Sequence, residues 1–90
     1  MARYCPLFSG SSGNCCYIGS AAGGVLVDAG VSARRIETAL REREIDPGSI
    51  RAICVTHEHS DHVAGLRVLT RRYGMPVFAS RGTLEELLHA

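Results

Sequence analysis

Ala52-Ile53-Cys54-Val55-Thr56-His57-Glu58-His59-Ser60-Asp61-His62 is the stretch on which the reading of this chain turns. Four apolar residues run without a break and then give way to three imidazoles and two carboxylates within six positions. An unbroken apolar run of this length, bounded by polar residues, predicts a buried β-strand. Residues two apart in an extended segment point the same way. His57, His59 and Asp61 therefore share one side of a loop leaving the sheet, and His62 can turn to a second point. One metal ion could take His57 and His59, and a neighbour Asp61 and His62. Two metals about 3.5–4 Å apart can clamp both oxygens of a displacement, which is hydrolase chemistry. Imidazole and carboxylate suit Zn2+, with Mn2+ or Fe2+ as alternatives at an oxygen-rich site. The helical zinc-protease motif, His-Glu-x-x-His, is excluded because its fifth position is Asp61 here.

Working outward, strand Ile50–Val55 lies between two helical patterns. Ser32 is placed to cap a helix over residues 33–44, with Ile36, Ala39 and Leu40, joined by Arg43, on its inward face and Glu37 mostly off it. Asp46-Pro47-Gly48 is a stop signal. A second helix is predicted over residues 62–73, with Val63, Leu66, Leu69 and Thr70 inward and Gly74 as its C-cap. Residues 76–79 read as a further strand and 83–89 as the start of another helix. Upstream, residues 3–8, 15–19 and 25–28 read as three strands of an antiparallel meander. Ser9-Gly10-Ser11-Ser12-Gly13-Asn14 is a turn in this reading; it lacks the Gly-Lys-Ser/Thr of a nucleotide-binding loop. The expected fold class is α/β (α+β), a mixed sheet with helices on one face. The other face of such a sheet needs cover that these residues do not supply.

Ninety residues make at most one small domain, and a hydrophobic share of 46% can fill a core. A net charge of +1 argues against a strongly basic nucleic-acid module but not against a local basic face. All ten basic residues are Arg, which fits either biased genome composition or a use for planar phosphate-binding forks. Cysteines at 5, 15, 16 and 54 match neither a zinc-knuckle nor a disulfide framework and read as buried, reduced thiols of a cytoplasmic protein. No signal-peptide core and no membrane-length apolar run is present.

The pattern His57-x-His59-x-Asp61-His62 resembles the signature of the metallo-β-lactamase fold superfamily. The opening Leu7-Phe8-Ser9-Gly10-Ser11-Ser12-Gly13-Asn14 and the strand end Leu26-Val27-Asp28-Ala29-Gly30 are similar to one bacterial branch of it, the WalJ/YycJ-type hydrolases, related to nucleolytic members. The resemblance implies an αββα sandwich with a dinuclear metal site at one edge, of which residues 1–90 are the N-terminal portion. It implies His57 and His59 as ligands of the first metal, Asp61 and His62 of the second. Asp61 would also orient the bridging hydroxide that attacks the substrate. A further His, a bridging Asp and a final His would have to come from outside residues 1–90. The implied activity is zinc-dependent hydrolysis of a nucleic acid or another phosphodiester. Thioester or lactam hydrolysis is the enzymatic alternative, and a non-catalytic metal-binding module that depends on a partner is the other. Asp28 has two readings: an acceptor that orients a metal-binding His, or a strand-ending turn residue with local backbone bonds. Glu58 and His89 are expected to be solvated, and Arg71 and Arg72 to close a helix C-terminus.

Overall fold

Alternation of inward and outward residues builds the first layer. The computed structural model describes residues 3–10, 13–20, 22–56, 64–83 and 85. Strands β1 (Arg3–Phe8), β2 (Cys15–Ser20) and β3 (Gly23–Val27) form the antiparallel meander. β4 (Ile50–Val55) and β5 (Val77–Ala79) add in parallel, giving one mixed sheet in the order β1-β2-β3-β4-β5. Helix α1 (Ala33–Glu42) connects β3 to β4, and helix α2 (Leu66–Tyr73) connects β4 to β5. Two successive crossovers between parallel strands, advancing in the same direction, put both helices on one face.

The core lies between that face and the helices. Tyr17, Leu26, Ile53 and Val55 from the sheet meet Ile36, Ala39, Leu40 and Leu69 from the helices. Ile50 and Ile53 are three apart yet both buried, which strict alternation forbids. The register shifts between Gly24 and Val25, where Arg51 is the extra residue of a bulge, and this brings both side chains inward. The opposite face exposes Tyr4, Ile18 and Phe78.

Several boundaries differ from expectation. α1 ends at Glu42, not 44, because the chain folds back: Glu44 takes φ +59° and the N–H of Ile45 bonds the Leu40 carbonyl at 2.9 Å. Asp46-Pro47-Gly48 opens a short 3-10 turn, Pro47–Ser49, after that stop. α2 begins at Leu66, since residues 64 and 65 form a turn, and Gly74 closes it at φ +72° as expected. Helical backbone resumes at 81, earlier than read, with Ser80 Oγ accepting from the Thr83 N–H at 3.2 Å. His89 lies outside the described residues.

Glu37 is the largest correction. It is buried on the inner side of α1, where it accepts hydrogen bonds from Arg72 Nη1 at 2.6 Å and from the Tyr73 hydroxyl. Burial pushes its carboxyl pKa up, but Tyr73 and Arg72 outweigh that and hold it below the ordinary value. The carboxylate therefore fastens α2 to α1, and Arg72 is tied to it.

Candidate metal centre

Parallel pairing of β3 with β4 brings the ends of both strands to the same edge, with Val27 opposite Cys54. The β1–β2 loop and the start of α1 lie at this edge too, because β2 runs antiparallel to β3. Topology thus gathers three loops where the histidine motif leaves β4. His57, His59, Asp61 and His62 lie outside the described residues, as does Glu58. The structure describes what holds the segment at either side of them.

Thr56 comes immediately before the motif. Asp28 Oδ1 accepts from the Thr56 N–H at 2.8 Å, and Asp28 Oδ2 accepts from Thr56 Oγ1 at 2.7 Å. The Asp28 N–H in turn donates to the Cys54 carbonyl at 2.8 Å, extending the β3–β4 ladder by one step. Asp28 is only 5% exposed and sits at φ +66°, a left-handed conformation that a short polar side chain tolerates better than most. Its partner is 28 residues away in sequence, so the reading of Asp28 as a turn residue with only local bonds gives way. A buried carboxylate in an uncommon backbone conformation, aimed at the residue before the histidine motif, marks a site where local strain is held by tertiary contacts.

The other end is fixed by a carbonyl. The Gly65 N–H donates to Ala29 O at 2.7 Å. A β-carbon at Gly65 would strike the Val31 carbonyl and lie 3.1 Å from Ala33 N, so only glycine permits this approach. The β1–β2 loop is laced to the same turn. Gly30 donates to Asn14 O at 2.8 Å, and the Asn14 side chain closes its own loop through both Gly10 N and Gly10 O. A β-carbon at Gly13 would meet Gly30 O at 2.7 Å. The segment 28–31 is therefore a hub, gripping the start of the histidine segment through Asp28 and its end through Ala29. Thr56 and Gly65 are the residues that sequence reasoning passed over. Thr56 was visible only as the first letter of the motif, and Gly65 carried no signal beyond being glycine.

Among the described residues no group of three or more His, Cys, Asp or Glu can hold a metal ion. Cys15 lies close to the hub, but burial, reinforced by Cys16 and Asp28, pushes its thiol up to about 12. It stays protonated at neutral pH. All four cysteines are free; Cys15 is buried, while Cys5, Cys16 and Cys54 are half-buried. The donor set left for a metal is the one in the sequence, imidazoles with a carboxylate, and its chemistry fits zinc or another borderline divalent ion.

The family model for the metallo-β-lactamase superfamily matches residues 9–90. The chain belongs to that superfamily. It is 43% identical over 87 residues to exodeoxyribonuclease YycJ of Bacillus anthracis, covering 97% of this chain and 33% of that protein. It is 44% identical over 85 residues to exodeoxyribonuclease WalJ of Streptococcus pneumoniae serotype 2, covering 94% and 32%. Among solved structures, a subclass B3 metallo-β-lactamase with an active-site glutamic acid superposes with a TM-score of 0.76 at 32% identity, over 91% of this chain and 34% of that one. A metallo-β-lactamase variant from Cronobacter sakazakii gives 0.79 at 26% identity, over 94% and 33%. The chain thus spans about a third of the relatives it matches. The mixed sheet with helices on one face is the fold expected from the sequence.

Proposed function

We propose that this chain is the N-terminal portion of a metal-dependent, nuclease-type phosphodiesterase domain, and that it supplies half of a dinuclear site. His57 and His59 would hold the first metal, and Asp61 and His62 the second. Bound there, a pair of divalent ions supplies activated water and neutralises charge developing on the phosphoryl oxygens. The observation that carries the reading is the anchoring of the motif: Asp28 fixes Thr56, and Ala29 fixes Gly65. Ligand residues on a loop pinned at both sides lose less freedom when a metal binds, as a preorganised site requires.

The protein's own residues then divide the work. Asp28 holds the backbone from which His57 departs, a positioning role one residue away from the ligand. Asp61 carries the carboxylate that would also orient the attacking water. Phosphodiester is favoured over lactam because both relatives named exodeoxyribonucleases match at 43–44% identity. Lactam hydrolysis is the second reading, favoured by the superposition on B3 β-lactamases. Residues 1–90 offer two ligands per metal where zinc sites use three or more, so these residues alone are expected to be inactive.

The test is reconstitution. The full-length protein, stripped with chelator, is expected to lose hydrolysis of single-stranded DNA and to regain it with Zn2+ or Mn2+. Turnover of a β-lactam but not of DNA would replace the nuclease reading with the lactamase one.

A further inference from the structure

Arg34 and Arg35 open α1 at the sheet edge where the histidine motif emerges, and both are exposed. The Arg35 guanidinium lies over the Phe8 ring, 4.8 Å from its centroid. Phe8 ends β1, three strands from β4, which places it about 14 Å away across the sheet. These residues line a hollow of about 240 Å³ together with Thr38, Ala39 and Glu42.

The charge arrangement runs against the local rule. Acidic residues are favoured in the first turn of a helix and cations disfavoured, yet this turn holds two arginines and no acid. Neither guanidinium pairs with a carboxylate among the described residues. The backbone of that turn is already occupied: Ser32 Oγ accepts from the Arg35 N–H at 3.3 Å, and Ser32 O from the Ile36 N–H at 3.1 Å. The unbalanced charge therefore resides in the side chains. Stacking on Phe8 offsets part of this cost for Arg35, and two cations kept in an exposed first turn point to a functional surface. A guanidinium held over an aromatic ring has given up much of its freedom already, so it binds a phosphate at smaller further cost.

We propose that Arg35, braced by Phe8, and its neighbour Arg34 form a contact for two phosphates of a single DNA strand, extending from the metal centre along the β1 side of the domain. The proposal rests on the phosphodiesterase reading of that centre. The partner follows from charge complementarity: two exposed planar forks suit adjacent phosphates of one backbone, and Glu42 in the same hollow lies two helical turns further on.

The experiment is metal-free binding of a fluorescent oligothymidylate to the full-length protein in chelator, by anisotropy across a salt series. The Arg34→Gln/Arg35→Gln double variant is expected to weaken binding about tenfold at low salt. It should flatten the log–log salt slope by about 1.4, since each single-strand phosphate contact contributes about 0.7. Arg35→Lys and Phe8→Leu should each give a smaller loss. Arg51→Gln removes one charge at the opposite end of β4 and should leave the slope unchanged. A double variant with wild-type affinity and slope would overturn the proposal, as would a wild-type protein that does not bind the oligonucleotide, or equal loss on Arg51→Gln. Hydrolysis of bis(p-nitrophenyl) phosphate by the metal-loaded wild-type protein judges the chemistry separately. Its absence alongside arginine-dependent DNA binding would sink the phosphodiesterase reading and leave the contact standing.

Discussion

Replacing Asp28 by alanine should cost more than any other single change at the sheet edge. The hydrogen bonds from Thr56 N at 2.8 Å and Thr56 Oγ1 at 2.7 Å are among those lost. Bonds to a charged acceptor contribute about 1.5–3 kcal/mol each, but two bonds sharing one partner are not additive. A β-carbon without a polar end at φ +66° adds roughly 1 kcal/mol of strain. The expected loss for Asp28→Ala is therefore about 3–4 kcal/mol, read from urea unfolding of the full-length protein. Asp28→Gly removes the same bonds but tolerates the backbone, and should recover about 1 kcal/mol of the loss. Asp28→Asn keeps one acceptor and a side chain suited to the left-handed region, and should lose only about 1 kcal/mol. Thr56→Val removes one bond, and its cycle with Asp28→Asn should show a coupling of at least about 0.5 kcal/mol. The motif begins one residue later, so metal content measured after dialysis should fall in parallel with stability across this series. If Asp28→Ala unfolds within about 0.5 kcal/mol of wild type and retains its metal, the clamp neither holds the fold nor positions the ligands.

Gly65→Ala pushes a β-carbon into the Val31 carbonyl and should destabilise by about 1–3 kcal/mol in the same unfolding assay. Tyr73→Phe leaves the buried Glu37 carboxylate short of one donor and should cost about 1.5–3 kcal/mol. Because the folded pKa of Glu37 lies below its ordinary 4.5, its stabilisation is complete above that pH and fades as pH falls through the lower folded value. Glu37→Gln should therefore flatten the acid limb of a stability–pH profile below about pH 4.5, with little change in its shape at neutral pH. Cys15, with its thiol pushed up to about 12, is expected to resist iodoacetamide at pH 8 in the folded protein, where its thiolate fraction is about one in ten thousand. Mass spectrometry that finds Cys15 alkylated as fast as a free thiol would contradict that burial.

Much of the fold was legible because its signals are local. Strand periods, the Ser32 cap and the Gly74 C-cap each lie within a few residues of what they specify. Bulges were not legible: the register shift at Gly24–Val25 depends on pairing between β3 and β4, elements 23 or more residues apart. Glu37 misled for the same reason, since its partners Arg72 and Tyr73 sit 35 and 36 positions downstream on another helix. From the sequence of α1 alone it is one charged residue among several. The proposed ligand motif could be put forward without tertiary knowledge, because its candidate donors are packed into six positions. Its supports did, because Asp28–Thr56 and Ala29–Gly65 join segments that only the parallel β3–β4 pairing brings together. The sequence left Asp28 with two readings, and only its partner Thr56 decides that its bonds are not merely local.

The most direct measurement is hydrolysis of 5′-labelled single-stranded DNA by the full-length protein and its His59→Ala and Asp61→Asn variants, each with metal content determined on the same preparation. The expected result is DNA degradation by wild type, loss of at least about a hundredfold in both variants, and reduced bound metal in each. Undiminished DNA hydrolysis in both variants would show that the histidine motif on this loop is not the catalytic centre.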